Sequence, residues 1–215
     1  MTSRRQLPGR DALERARALL AEVAAIDSDG PLARGLGRFG SWRSLAAVVG
    51  TDWLPLPRRA SASTARIIRQ RLRVLGADPS TAAGLPDSQG PVQLRGTCAR
   101  LPDGPSGELW RAAVVEDEAG LWAVDEGHDF VLRGEGGKAT LVLAEGGRLV
   151  NADRLTEGDQ VAVFGLPGEA PDRVGIAGAA YGRGGLCAAL RSGPRHPLLV
   201  SVITRYDQEN DGPQD

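Results

Sequence analysis

The chain has 215 residues, 41% of them hydrophobic and 25% charged, which is the composition of an ordinary globular protein and disfavours collagen-like, wholly disordered and membrane-dominated classes. Its formal charge of −1 hides an asymmetry, because residues 1–90 hold 14 Lys+Arg against 8 Asp+Glu while residues 91–215 hold 12 against 19. No run approaches the ~20 apolar residues that a bilayer-spanning helix needs, and the basic start Met1–Arg10 is not followed by an apolar stretch, so the expected compartment is the cytoplasm.

From the N-terminus, Asp11 and Glu14 have the spacing of a capping box, and Leu13, Ala16, Leu20, Val23 and Ala24 follow at helical spacing, which predicts a helix to about Ile26. A second short helix is expected from Ser41 to Gly50, before Pro55 and Pro57 stop regular structure. The third, Thr64 to Leu75, has a Ser63 cap and Gly76 beyond its end. Its apolar stripe is Ala65, Ile68, Leu72 and Leu75, and Arg66, Arg69 and Arg73 project from the opposite side. Residues 77–91 contain three prolines and no periodicity, which places a linker there.

Beyond Val92 the period changes to two. Val92, Leu94 and Cys98 alternate with polar residues, and Leu109–Val115 forms a second run. Phe130–Leu132 and Ala139–Leu143 flank the Gly134–Gly137 turn as a hairpin. Val161 and Val163 precede Phe164 and Gly165, and Leu198–Ile203 reads as a last buried strand. Such a series of short strands suits a small antiparallel barrel or sandwich, an architecture that leaves few open edges. The polar tail from 205 to 215 is expected to be frayed.

Candidate motifs are few. Gly35-x-Gly37-x-x-Gly40 matches a dinucleotide-binding loop, but a helix rather than a strand precedes it and Asp52 is too near to serve the ribose. Gly136-Gly137-Lys138 lacks both the first glycine and the hydroxyl of a phosphate loop, since Leu132 and Ala139 hold those positions. Asp125, Glu126, His128 and Asp129 gather metal-competent groups in five residues, yet neighbouring strand residues point to opposite faces, and an acidic turn is ordinarily just solvated. Cys98 and Cys187 sit among small or apolar neighbours and read as buried thiols. His196 lies in a turn before Pro197. No catalytic residue, cofactor or metal is therefore expected.

Several segments of the second half, Val92-Gln-Leu-Arg-Gly-Thr97, Gly104-Pro-Ser-Gly-Glu-Leu-Trp-Arg111, Phe130-Val-Leu132, Leu155-Thr-Glu-Gly-Asp-Gln-Val-Ala-Val-Phe-Gly165 and Pro197-Leu-Leu-Val-Ser201, resemble in order and spacing the GIDE-type domain. This small β domain occurs beside membrane segments in a mitochondrial ubiquitin ligase and in many bacterial proteins. The resemblance spans about 92–201 and implies a β-barrel-like accessory module. It brings no catalytic residues, and neither the family's flanking transmembrane helices nor a ligase-type metal finger is visible in the sequence.

The expectation is thus an α+β protein: a helical region over 1–76, a linker over 77–91, a small mostly antiparallel β-barrel, OB-like or SH3-like, over 92–204, and a disordered tail. The expected role is a non-enzymatic binding or scaffolding protein with a protein partner. Trp110 and Trp122 lie in or beside strands, so one should anchor the core and an exposed one would serve an interface. The alternative is a nucleic-acid-binding protein using Arg66, Arg69 and Arg73, and a second alternative is a metal-dependent hydrolase. A further possibility is that the basic half docks on the acidic one, which would make the charge split internal.

Overall fold

A computed structural model describes residues 1–7, 11, 18, 80–81, 90–134, 139–169, 171, 188–194 and 196–205. These residues are nearly all β: β1 Thr2–Gln6, β2 Ser80–Thr81, β3 Val92–Arg100, β4 Glu108–Asp117, β5 Gly120–Gly127, β6 Phe130–Arg133, β7 Ala139–Val142, β8 Arg148–Leu149, β9 Arg154–Thr156, β10 Gln160–Glu169, β11 Ala188–Arg191 and β12 Leu199–Thr204.

Five strands close a barrel in the order β3-β6-β7-β11-β10 and back to β3. Counted along the chain this is first, second, third, fifth, fourth. Every pairing is antiparallel except β7 with β11. Closure is possible because β10 is long: its first half pairs with β3 and β12, and its second half, Leu166–Glu169, turns to β11. A separate four-stranded sheet, β1-β5-β4-β9, is antiparallel throughout.

The α+β expectation with a helical N-terminal region is corrected here. Among the described residues no helix stands as an element, Asp11 and Ala18 alone being helical, and the chain starts with a strand, β1, that joins the second sheet at β5. The reason is local: Thr-Ser-Arg-Arg-Gln carries β-tolerant side chains but no apolar period, and tertiary pairing rather than propensity decides its state. The helices expected over 41–50 and 64–75, the helix expected to about Ile26 apart from Asp11 and Ala18, and the loop Gly35–Gly40 lie outside the described residues. Within the linker expected over 77–91, Ser80–Thr81 forms β2, which pairs in parallel with β3. The hairpin expected at 130–143 forms as β6 and β7. Among the described residues no helix is long and apolar enough to cross a membrane.

The main core fills the barrel and the space between it and the second sheet, with Leu94, Cys98, Phe130, Leu132, Val142, Val161, Val163, Leu190 and Val200 joined by Leu109, Trp110 and Leu155. A second row on the opposite wall, Ala99, Val131, Leu141 and Ala189, is aligned across four strands and is buried as well. Burial on both sides explains why these strands read as apolar runs rather than strict alternation. The turn into β10 is built by Gly158 at φ +94° and by the buried Asp159, whose carboxylate accepts the Thr156 amide at 2.9 Å and the Thr156 hydroxyl at 3.1 Å. Asn151 extends the β8–β12 pairing by side chain, donating Nδ2 to the Val202 carbonyl at 2.7 Å and accepting the Val202 amide at 2.8 Å.

Trp110 joins the two sheets. It is 1% exposed, and its ring lies between the backbones of Gly127, its ladder partner on β5, and Gly147. A Cβ on Gly127 would stand 2.7 Å from the indole, and one on Gly147 would collide with the far edge of the ring. Replacing Trp110 with Ala is expected to cost about 3–5 kcal/mol and Gly127→Ala about 1–3 kcal/mol. The double variant should be less destabilised than the sum, because the truncated side chain frees the space the new methyl needs; urea unfolding of the four proteins checks this.

Candidate functional site

The second sheet has two faces that follow from the period-two alternation of its strands. On the inner face of β5 stand Leu121, Ala123, Asp125 and Gly127, all buried. Asp125 is the polar member of that row, at 4% exposure. Its Oδ2 accepts from Arg5 Nη2 at 2.5 Å, with the two side chains 12% and 5% exposed. Its Oδ1 accepts from Trp110 Nε1 at 3.4 Å and from the Leu149 amide at 3.2 Å. One carboxylate therefore ties together β1, β4, β5 and β8. Arg5 Nε and Nη1 are buried with no hydrogen-bond partner among the described residues.

Beside this group lies a polar cleft of about 370 Å³, lined by Met1–Arg4, Trp110, Asp125, Gly127 and the Ala144–Gly147 turn. Beyond it, Leu7 packs with Leu121, Ala123 and Val114 in a small satellite cluster.

The outer face is exposed and mixed. Gln6, Trp122 and Val115 form one row across β1, β5 and β4, and Arg4, Val124 and Ala113 form the next. Val115 is 44% exposed. The Arg4 guanidinium lies 4.4 Å from the centre of the Trp122 ring and donates to Asp117 at 2.7 Å, while Trp122 Nε1 donates to the other Asp117 oxygen at 2.8 Å. A third row sets Glu126, Arg111 and Arg154 side by side, all exposed.

The candidate residues thus separate. Trp110 is the core anchor and Trp122 the partly exposed tryptophan. Arg66, Arg69 and Arg73 lie outside the described residues. Asp125, Glu126, His128 and Asp129 do not converge: Asp125 is buried in the ion pair, Glu126 points to the outer face, and Asp129 accepts the Ala144 amide at 2.8 Å while His128 donates its own amide to Leu109. Among the described residues no group of three His, Cys, Asp or Glu is placed to hold a metal ion. Cys98 is a free thiol in the core, its pKa pushed well up by burial and by the neighbouring Asp159 charge. His196 closes a turn with Gly193.

The internal-charge reading gains two bonds. Arg4 and Arg5 come from the basic half and pair with Asp117 and Asp125 of the acidic half. The sequence signal for Asp125 was a carboxylate in phase with Leu121 and Ala123. Arg5 had none, since a short charged strand carries no apolar period.

No family model, curated protein or solved structure matches the chain.

The Trp122 indole bond, reinforced by the Ala119 amide and Arg4, holds the Asp117 carboxyl below its ordinary range. A carboxyl with a folded pKa below its unfolded one contributes stability above the unfolded pKa and loses it as pH falls through the folded one. The Trp122 indole N–H resonance should therefore stay in its bonded position down to pH values below the usual aspartate range and then move. Asp117→Asn should abolish that acid transition, as an NMR titration would record.

Proposed function

We propose that the chain is a non-enzymatic binding or scaffolding protein, with a GIDE-like β module whose outer sheet face receives a protein partner. The observation that carries this reading is the strip of Trp122, Val124, Ala113 and Val115 on an exposed face, bordered by Arg4 and by the opposed pair Arg111 and Arg154. Aromatic and arginine side chains at the centre of a patch are the usual anchors of protein interfaces. Arg111 is already met by Glu108 and stands beside Glu126, whereas Arg154 on the facing strand is exposed, so a partner carboxylate placed at Arg154 gains an ion pair and offsets the like-charge contact with Arg111. The partner that fits is a protein segment presenting apolar side chains next to acidic ones.

One observation favours a second reading, binding of single-stranded nucleic acid. The barrel order first-second-third-fifth-fourth, with its parallel third–fifth pair, is that of an OB-type barrel, an architecture that recurs among oligonucleotide-binding domains. Against it, surface arginines of this region are already engaged by carboxylates: Arg4 by Asp117, Arg100 by Glu157, Arg111 by Glu108 and Arg205 by Asp153. An oligonucleotide would compete with those pairs.

Two measurements separate the readings. Trp122→Ala should leave the thermal midpoint of the full chain within a few degrees and abolish capture of a partner that the unaltered chain retains. Fluorescence anisotropy with labelled single-stranded DNA and RNA should show no binding at moderate salt. Tight binding that falls steeply as salt rises would sink the protein-partner reading in favour of the nucleic-acid one.

A further inference from the structure

We propose that the β5 edge is a strand-acceptor site for a second copy of this chain, so that residues 1–7 exchange between copies and the protein forms a strand-swapped dimer. The inference is independent of the outer-face reading, because it concerns the edge and inner face of the same sheet.

β1 is bound as a separate peptide would be. Its ladder partner is β5, from Thr2 opposite Glu126 to Gln6 opposite Trp122. More than a hundred residues separate the paired positions, so no hairpin turn ties the strand to its acceptor. What holds it are backbone bonds and three side-chain anchors on the β4–β5 hairpin: Arg5 to Asp125, Arg4 to Asp117 over the Trp122 ring, and Gln6 to the Ala119 carbonyl at 3.2 Å. Leu7 adds an apolar plug against Leu121 and Ala123. Every one of these contacts is the same whether the strand belongs to the same molecule or to another, which is the condition for exchange at low cost. Strand addition of this kind takes its affinity from the ladder and its specificity from alternate side chains, here the inward Arg5 read by Asp125.

Two features keep the docked strand from being irreversibly sealed. Arg5 has two buried donor atoms without partners among the described residues, which lowers the net gain from burying its charge. The cleft of about 370 Å³ runs beside Met1–Arg4, leaving that end of the strand open on one side.

The register supplies a direct test. Met1 and Gly127 exchange both backbone bonds, at 2.7 and 3.0 Å, so Thr2 and Glu126 occupy the neighbouring non-hydrogen-bonded position, where Cα atoms approach to ~4.5 Å and a disulfide fits. Both residues are exposed, so each single substitution leaves the fold intact. Full-length Thr2→Cys chain is mixed with full-length Glu126→Cys chain, equilibrated, oxidised and mapped by mass spectrometry. A disulfide between the two substituted positions can form only across two copies. The expected result is a heterodimer whose yield rises with protein concentration and stands several-fold above the off-register control pair, Thr2→Cys with Glu118→Cys. A yield no greater than that control at every concentration, while a chain carrying both Thr2→Cys and Glu126→Cys closes its own disulfide, overturns the proposal.

Discussion

Asp125 is a carboxylate placed where its strand neighbours Leu121 and Ala123 are apolar, and much of the second sheet follows from how its charge is met. An ion withdrawn from water costs several kcal/mol unless geometry and hydrogen bonds compensate it. Here the compensation comes from three separate pieces of chain: the Arg5 guanidinium, the Trp110 indole and the Leu149 amide. None of these can leave without exposing the others to an unpaired charge. The sheet β1-β5-β4-β9 is thereby registered against the barrel by a polar bond as well as by apolar area.

The same constraint explains the seat of Trp110. An indole that must reach a carboxylate on the next strand while filling the space between two sheets needs backbone on either side at van der Waals distance, and Gly127 and Gly147 provide it. With Trp110 committed inward, alternation sends Arg111, Ala113 and Val115 outward beside Trp122, so core and candidate recognition surface are two faces of one pair of strands. Arg4 and Arg5 divide the same way, one over the Trp122 ring on the outer face and the other on the inner face against Asp125.

What the sequence revealed depended on how apolar each strand is. The β6–β7 hairpin, β10 and β12 are doubly buried, so Phe130-Val-Leu132, Val161–Phe164 and Leu199–Val200 stand out as runs, and the Gly158-Asp159 turn was visible from residue type alone. β1 was invisible: five polar residues at a sheet edge have no period, and their strand state is imposed by β5. Charged edge residues are typical of protected sheet margins, and nothing in residue type distinguishes the exposed Arg4 from the inward Arg5. Of the candidate site, Trp122 was legible as one of two tryptophans near strands, while the partition of roles between Trp110 and Trp122 depended on which one alternation turns inward. In the acidic cluster at 125–129 alternation was legible and does send Asp125 and Glu126 to opposite faces, but Asp125 is buried in an ion pair rather than solvated, because its partner Arg5 comes from a distant strand.

The central claim is that Arg5 and Asp125 act as one unit in holding the N-terminal strand to the sheet. A double-mutant cycle in the full chain, Arg5→Ala, Asp125→Ala and both together, measured by urea unfolding, tests it most directly. The account predicts that each single change costs about 3–5 kcal/mol and that the double change costs far less than their sum, because removing both charges leaves none unpaired. Single effects that add to within about 0.5 kcal/mol would contradict it.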